Sequence, residues 1–227
     1  MVAVGVAVGV VVAVAVGVVV AVAVGVGVAV AVTTTYRAKG LGSGLAPFLV
    51  GGHMTTFHRR STLGLAAPNP AKLAARTAEE LHDSLGLTIH HTGFGGTLYK
   101  PDPIARLRGI QAYHMETLGY GDIAYELAFD ADANVYELRD GKYVGAHAYG
   151  SKRGGNTPNV YTDGLVYLED ARGWTRGGSI ALNWCMDLFG LARQGRHPHL
   201  FAHEWWSVTA CPQSYLIDVV RFAGGSA

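Results

Sequence analysis

His203 and Cys211 stand eight residues apart in His203-Glu-Trp-Trp-Ser-Val-Thr-Ala-Cys211-Pro212. That spacing, with proline directly after the cysteine, does not fit one helix face. It reads as a loop that curls back and can bring an imidazole and a thiolate to one point. His90, at the end of the short apolar run Leu87–His91, is a candidate third donor. Two imidazoles and one thiolate with a fourth position open form the pattern of a catalytic zinc rather than a structural one. Two charges on the ion less one on the thiolate leave a net +1. Such an ion lowers the pKa of a bound water toward ~7 and can polarise a carbonyl.

The chain has ten histidines, and most have plainer readings. His53 and His58 fall in a linker-like stretch, His82 and His114 on helices, and His197 and His199 flank Pro198. His91 follows His90 on a strand and is expected on the opposite face, as a hydrogen-bonded core or rim residue. Cys185 sits on an apolar helix stripe and reads as a buried hydrophobe. Asp122 reads as satisfying backbone N–H groups in its turn. Glu126 and Glu204 read as solvated or structural acids, and no carboxylate base is evident. For Trp205 and Trp206, core packing and stacking on sugar rings both stay open.

The elements that must position these residues are legible in part. Thr77 can cap a short helix over Ala78–Leu85, with Glu80 as its capping-box partner. Leu87–His91 is a short strand. Asp102-Pro103 opens the clearest helix, with Ile104, Leu107, Ile110, His114 and Leu118 on one face. Ile123–Phe129 and Val135–Arg139 read as a hairpin around Asp130–Asn134. Tyr143–Ala148 and Leu165–Leu168 are further strands. Gly177-Gly178 precedes a helix with a stripe of Ile180, Ala181, Trp184, Cys185, Leu188 and Leu191, and a last helix covers about Ser214–Phe222. Strands mixed with helices predict an α/β or α+β domain with helices covering a central sheet.

Five segments then occur in order: Leu87-Thr-Ile-His90-His91-Thr92, Gly119-Tyr-Gly-Asp122-Ile-Ala-Tyr125, Asn134-Val-Tyr136-Glu137, Gly145-Ala-His147-Ala, and His203…Thr209-Ala-Cys211-Pro212. Together they resemble the type-2 N-acetylmuramoyl-L-alanine amidases, which include phage amidase lysozymes, bacterial autolysins and the peptidoglycan recognition proteins. The resemblance runs from about Leu87 to Val220. It implies an α/β fold with a central mixed sheet flanked by helices and a zinc site in a surface groove. It implies one zinc per chain held by His90, His203 and Cys211, with Tyr125 as an active-site residue. The lysozymes carry Lys two residues before the cysteine, and many recognition proteins carry Thr. Thr209 stands there, which argues against an ammonium-assisted mechanism. The Tyr125 phenol and the Thr209 hydroxyl are the expected hydrogen-bond donors to developing charge. His147 is a candidate substrate contact, because the Gly-Ala-His segment lines the groove in the family, with a structural role equally open, and His91 is a second candidate contact.

The activity implied is hydrolysis of the lactyl–L-alanine amide of peptidoglycan, by a phage endolysin or a bacterial wall hydrolase. The partner is the muramyl stem peptide, the place of action is the bacterial cell wall, and the chain is expected to be a monomer. A phage lysin would stay in the host cytoplasm until release, whereas a cellular enzyme would be secreted. The alternative is a module that binds the stem peptide without cutting it. Binding-only relatives typically lose the cysteine ligand or the tyrosine, and this chain keeps His90, Tyr125, His203 and Cys211 together, which favours the enzyme.

Composition bounds the rest. The 227 residues carry 18 Lys+Arg, 17 Asp+Glu and 2 Cys. Near-zero net charge excludes a nucleic-acid binder acting through bulk electrostatics, and two cysteines exclude a disulfide scaffold. After Met1, residues 2–32 are only Val, Ala and Gly, with Val at every even position. By length the tract could span a membrane. Its period of two is that of a strand, and no basic residues precede it. By the positive-inside rule Arg37 and Lys39, just after it, would hold the remainder in the cytoplasm. It reads as a tail or start-site artefact, with a membrane segment, such as a lysin's releasable anchor, as the alternative. The expected organisation is this tract over 1–32, a Gly- and Pro-rich linker over 33–75, and the zinc amidase domain over 76–227.

Overall fold

The structure is a computed structural model, and it describes residues 46–50, 53–93, 102–148, 157–169, 173–192 and 198–222. The Val/Ala/Gly tract and the first part of the expected linker lie outside these residues. Seven strands form one mixed sheet: β1 (Ala46–Val50), β2 (His53–His58), β3 (Gly86–His91), β4 (Leu127–Asp130), β5 (Asn134–Glu137), β6 (Thr162–Leu168) and β7 (His199–Ala202). Their order across the sheet is β1-β2-β5-β4-β6-β3-β7. β1/β2 and β4/β5 are antiparallel pairs, and the other neighbours run parallel. Among the described residues the α-helices are α1 (Ala78–His82), α2 (Pro103–Ala112), α3 (Thr157–Tyr161), α4 (Arg176–Ala192), α5 (His203–Trp206) and α6 (Ser214–Phe222).

Side-chain alternation along the strands separates two apolar layers. Leu87 and Ile89 of β3 and Leu165 and Tyr167 of β6 pack with Ala181, Leu182 and Cys185 of α4 and Leu216 and Val220 of α6. Val166 and Leu168 point the other way, toward Leu107 and Ile110 of α2. Fully burying one such side chain contributes ~1.5–3 kcal/mol, so the two layers hold the sheet's central strands in place. Cys185 is fully buried, as an apolar stripe position should be.

Local signals place the helix starts. The Asp102 carboxylate accepts from the Ile104 and Ala105 N–H groups, and Pro103 follows at the first helical position. Thr77 and Glu80 form a reciprocal capping box. α2 does not run on to Leu118 as an α-helix. It widens into one π turn over Tyr113–Thr117, and Gly119 takes a left-handed φ of 74° just beyond.

Two expectations need correction. Residues 46–75 are not linker throughout. β1 and β2 form a hairpin, and Thr56–His58 of β2 pair in parallel with Asn134–Tyr136 of β5. The partner strand lies far along the chain, so no local pattern announced the pairing. The segment Tyr143–Ala148 is not a strand; Tyr143 makes a single bridge to Ala75. Among the described residues no helix is long and apolar enough to cross a membrane.

Candidate metal centre

β3, β6 and β7 are parallel neighbours, and their C-terminal ends open at one edge of the sheet. Ligand sites in open α/β sheets gather at such ends. His90 is the fifth residue of β3 and is 1% exposed. Alternation turns it away from the α4 layer, toward Tyr125, whose ring centre lies 5.1 Å from its own. His203 starts α5 directly after β7, and its ring lies 4.3 Å from that of His90. Trp206 ties this one-turn helix to β3, since its indole N–H donates to Thr88 Oγ1 at 3.0 Å. Trp206 is therefore a buried packing residue. Trp205 packs, half-buried, against the same core.

The chain then curls back, and Cys211 Sγ comes within 3.8 Å of His90 Nδ1. One donor atom each from His90, His203 and Cys211 lies within 4.8 Å of the others, and among the described residues this is the one such group. Donors on a tetrahedral zinc sit roughly 3.3–3.8 Å apart, so the cluster needs little closure to hold an ion. A second observation supports the fit. His203 Nδ1 is buried without a hydrogen-bond partner. Buried polar atoms are rarely left so, and a metal would satisfy this one.

Electrostatics favour the same donors. Burial, and then His203, hold the His90 imidazole well below its ordinary pKa. Burial, then His91, lowers His203 to about 4. Both rings therefore stay neutral, as ligands must. Burial pushes the Cys211 thiol up to about 12, although the His91 backbone N–H facing the sulfur pulls the other way. A thiolate there needs a cation beside it, and a coordinating divalent ion removes the thiol proton outright.

The remaining expected residues fall close by. Burial, then Cys211, raises the Tyr125 phenol above its ordinary range, so it stays a donor. His114, read from the sequence only as a helix residue, supports it. His114 is buried in the π turn, its Nδ1 accepts from the Ala124 N–H at 3.0 Å, and its ring lies 5.7 Å from that of Tyr125. Thr209 Oγ1 accepts from the Cys211 N–H at 3.1 Å, so the hydroxyl shapes the turn that delivers the cysteine. His91 is half-buried and faces Glu169, Nδ1 to Oε2 3.3 Å. It lines a cavity of about 130 Å³ with Arg106, Tyr113, His114 and Tyr125. His147 is 6% exposed and lies against His90, with both ring nitrogens engaged.

Three buried carboxylates lie around the centre, of which Glu169 was absent from the sequence reading. Glu126 is buried, accepts from the Gly164 N–H, and has one oxygen without a partner. Burial first, and Asp163 next, push its carboxyl up to about 8. Glu169 is fully buried beside the centre, and nothing in its local sequence marked it. Asp122 accepts from the Ile123 N–H as expected, and also pairs with Arg60 at 2.9 Å.

No family model matches the chain. Individual relatives do. Over 60 residues it is 47% identical to peptidoglycan-recognition protein SC2 of Drosophila simulans, covering 26% of this chain and 33% of the relative. It thus spans about a third of that protein. Over 136 residues it is 30% identical to peptidoglycan-recognition protein SC1a/b of the same species, covering 59% of this chain and 70% of the relative. A human N-acetylmuramoyl-L-alanine amidase is 34% identical over 146 residues, which cover 60% of this chain and 23% of the enzyme. Among solved structures, a Tyr-to-Phe variant of Drosophila PGRP-LB in complex with tracheal cytotoxin superposes with a TM-score of 0.59 at 19% identity. The match covers 75% of this chain and 96% of that one.

Proposed function

Taking as premise that the chain belongs to the peptidoglycan-recognition protein family, we propose that it is a zinc-dependent N-acetylmuramoyl-L-alanine amidase. Its substrate is the muramyl stem peptide of peptidoglycan, and it cuts the lactyl–L-alanine amide at the bacterial cell wall as a monomer. The observation that carries the reading is the convergence of His90, His203 and Cys211 with the unsatisfied Nδ1 of His203 among them. The similarity to the human amidase and the tracheal cytotoxin held by the PGRP-LB structure support the bond and the ligand class.

In this reading His90, His203 and Cys211 hold the zinc. When bound, it supplies a Lewis acid for the amide carbonyl and an activated water. The chain's own residues do the rest. Tyr125, kept protonated by its surroundings, donates to charge developing on the carbonyl oxygen. Thr209 fixes the approach of Cys211 through the Cys211 amide and retains its hydroxyl proton for donation. The cavity beside Tyr125 receives the peptide side of the scissile bond, with Arg106 and His91 on its wall.

A binding-only module is the competing reading, because several relatives are named as recognition proteins. The two separate on metal dependence. Stripping the protein with a strong zinc chelator is expected to abolish hydrolysis of purified muropeptides, and stoichiometric zinc to restore it. Binding of muropeptides with no hydrolysis at any zinc concentration would establish the module instead.

A further inference from the structure

Both ring nitrogens of His147 have partners, and together they dictate where the protons sit. His147 Nε2 lies 3.2 Å from the Thr162 carbonyl oxygen. A carbonyl only accepts, so His147 Nε2 carries the hydrogen. That carbonyl is itself held in place, because Arg76 Nη2 donates to it at 3.0 Å and the Thr162 hydroxyl donates to Pro158 O at 2.7 Å. In a neutral ring the other nitrogen, His147 Nδ1, is then a lone-pair acceptor. It lies 3.1 Å from His90 Nε2, which must donate to it. His90 is thereby left with its hydrogen on Nε2 and a bare lone pair on Nδ1, the atom that faces Cys211 Sγ.

We infer that His147 is a positioning residue, not a substrate contact, and that with the Thr162 carbonyl it forms a relay fixing His90 in the tautomer a metal ligand needs. This deepens the proposed amidase function and rests on it for the identity of the metal. Metal-binding histidines generally donate their second ring N–H to a carboxylate, a carbonyl or water; here a second imidazole stands between the ligand and the carbonyl. The slot that holds this imidazole is built into the sequence. A Cβ on Gly164 would lie 2.6 Å from the His147 ring, and one on Gly145 would lie 2.8 Å from it. Only glycine at both positions lets the ring lie in the slot. His147 is buried and neither ring nitrogen meets a carboxylate, which suits a neutral ring.

The test uses the full chain and two variants. Long-range proton–nitrogen correlation spectra of the metal-free protein should show both His90 and His147 as Nε2–H tautomers. An Nδ1–H tautomer at either ring would overturn the relay. Zinc affinity is then measured by competition with a chromophoric chelator. His147→Phe keeps the ring's bulk and removes the acceptor, and is expected to weaken zinc 10–100-fold. His147→Asn places an amide oxygen where Nδ1 stood and loses bulk, and is expected to stay within a few-fold of the wild type. The reverse order would show that His147 only packs. If the wild type bound no zinc, the amidase reading would fall, while the tautomer spectra would still decide the relay. If His147→Phe failed to fold, the Asn variant and the spectra would decide it.

Discussion

At the scale of single residues, the centre depends on a few atoms whose removal has distinct signatures. Cys211→Ala removes the one anionic donor, so zinc should no longer copurify at one ion per chain. Metal analysis checks this; full occupancy with normal turnover in the variant would remove Cys211 from the ligand set. Tyr125→Phe should act on a different quantity. A phenol that donates to developing charge contributes in the transition state, so kcat should fall while KM changes little. Losing one full oxyanion donor typically costs ~10²–10³ in rate. An unchanged kcat on purified muropeptides would mean that Tyr125 only fills space beside His90. At this scale the sequence pointed to His90, His203, Cys211 and Tyr125 through ordered motifs. It did not point to His114, Thr162 or Glu169. Their partners lie 10, 15 and 78 residues away in the chain, and nothing in their own surroundings advertises the contact.

At the scale of elements, what was legible was local. Asp102-Pro103 and the Thr77–Glu80 box declare helix starts within four residues, and the structure has both caps. What was illegible was pairing. The segment His53–His58 lacks clean alternation, and its place in the sheet comes from β5, about 78 residues further on, while β1 pairs with β2. A chain starting at Met54 loses β1 but keeps every β2 residue that pairs with β5. It is therefore expected to fold, bind zinc and retain full-length turnover. A chain starting at Leu65 also loses β2 and the Arg60–Asp122 ion pair, and should melt at clearly lower temperature or not fold. Thermal melts of the two truncations check this, and equal melting temperatures would make the hairpin an ornament of the sheet edge. Gly164→Ala probes β6 in the same way. Its Cβ must push the His147 ring, so both melting temperature and zinc affinity should drop, and neither change would be expected if the ring could move freely.

At the scale of the whole molecule, buried titratable groups set a pH window. Glu126 ordinarily titrates near 4.5 and in the fold near 8, because burial and Asp163 disfavour its charge. The folded state therefore holds a proton that the unfolded chain has released. The stability linked to it is full below about 4.5 and is lost as pH rises through about 8. His114 works on the acid side. Burial and Arg139 lower it from 6.5 to about 4, so its contribution is present above 6.5 and lost as pH falls through about 4. Glu126→Gln should accordingly flatten the decline in melting temperature between pH 5 and 9 and leave the acid limb unchanged. Parallel curves for the variant and the wild type would show that Glu126 is charged throughout.

The central claim concerns one bond. Purified muropeptide is incubated with the zinc-loaded full chain, and the products are read by mass spectrometry. The account predicts two fragments, the free N-acetylmuramic acid saccharide and the peptide beginning at L-alanine, formed with addition of one water across the lactyl amide. It predicts none of either with Cys211→Ala. Intact muropeptide recovered quantitatively from the zinc-loaded protein, or cleavage at any other bond, would contradict it.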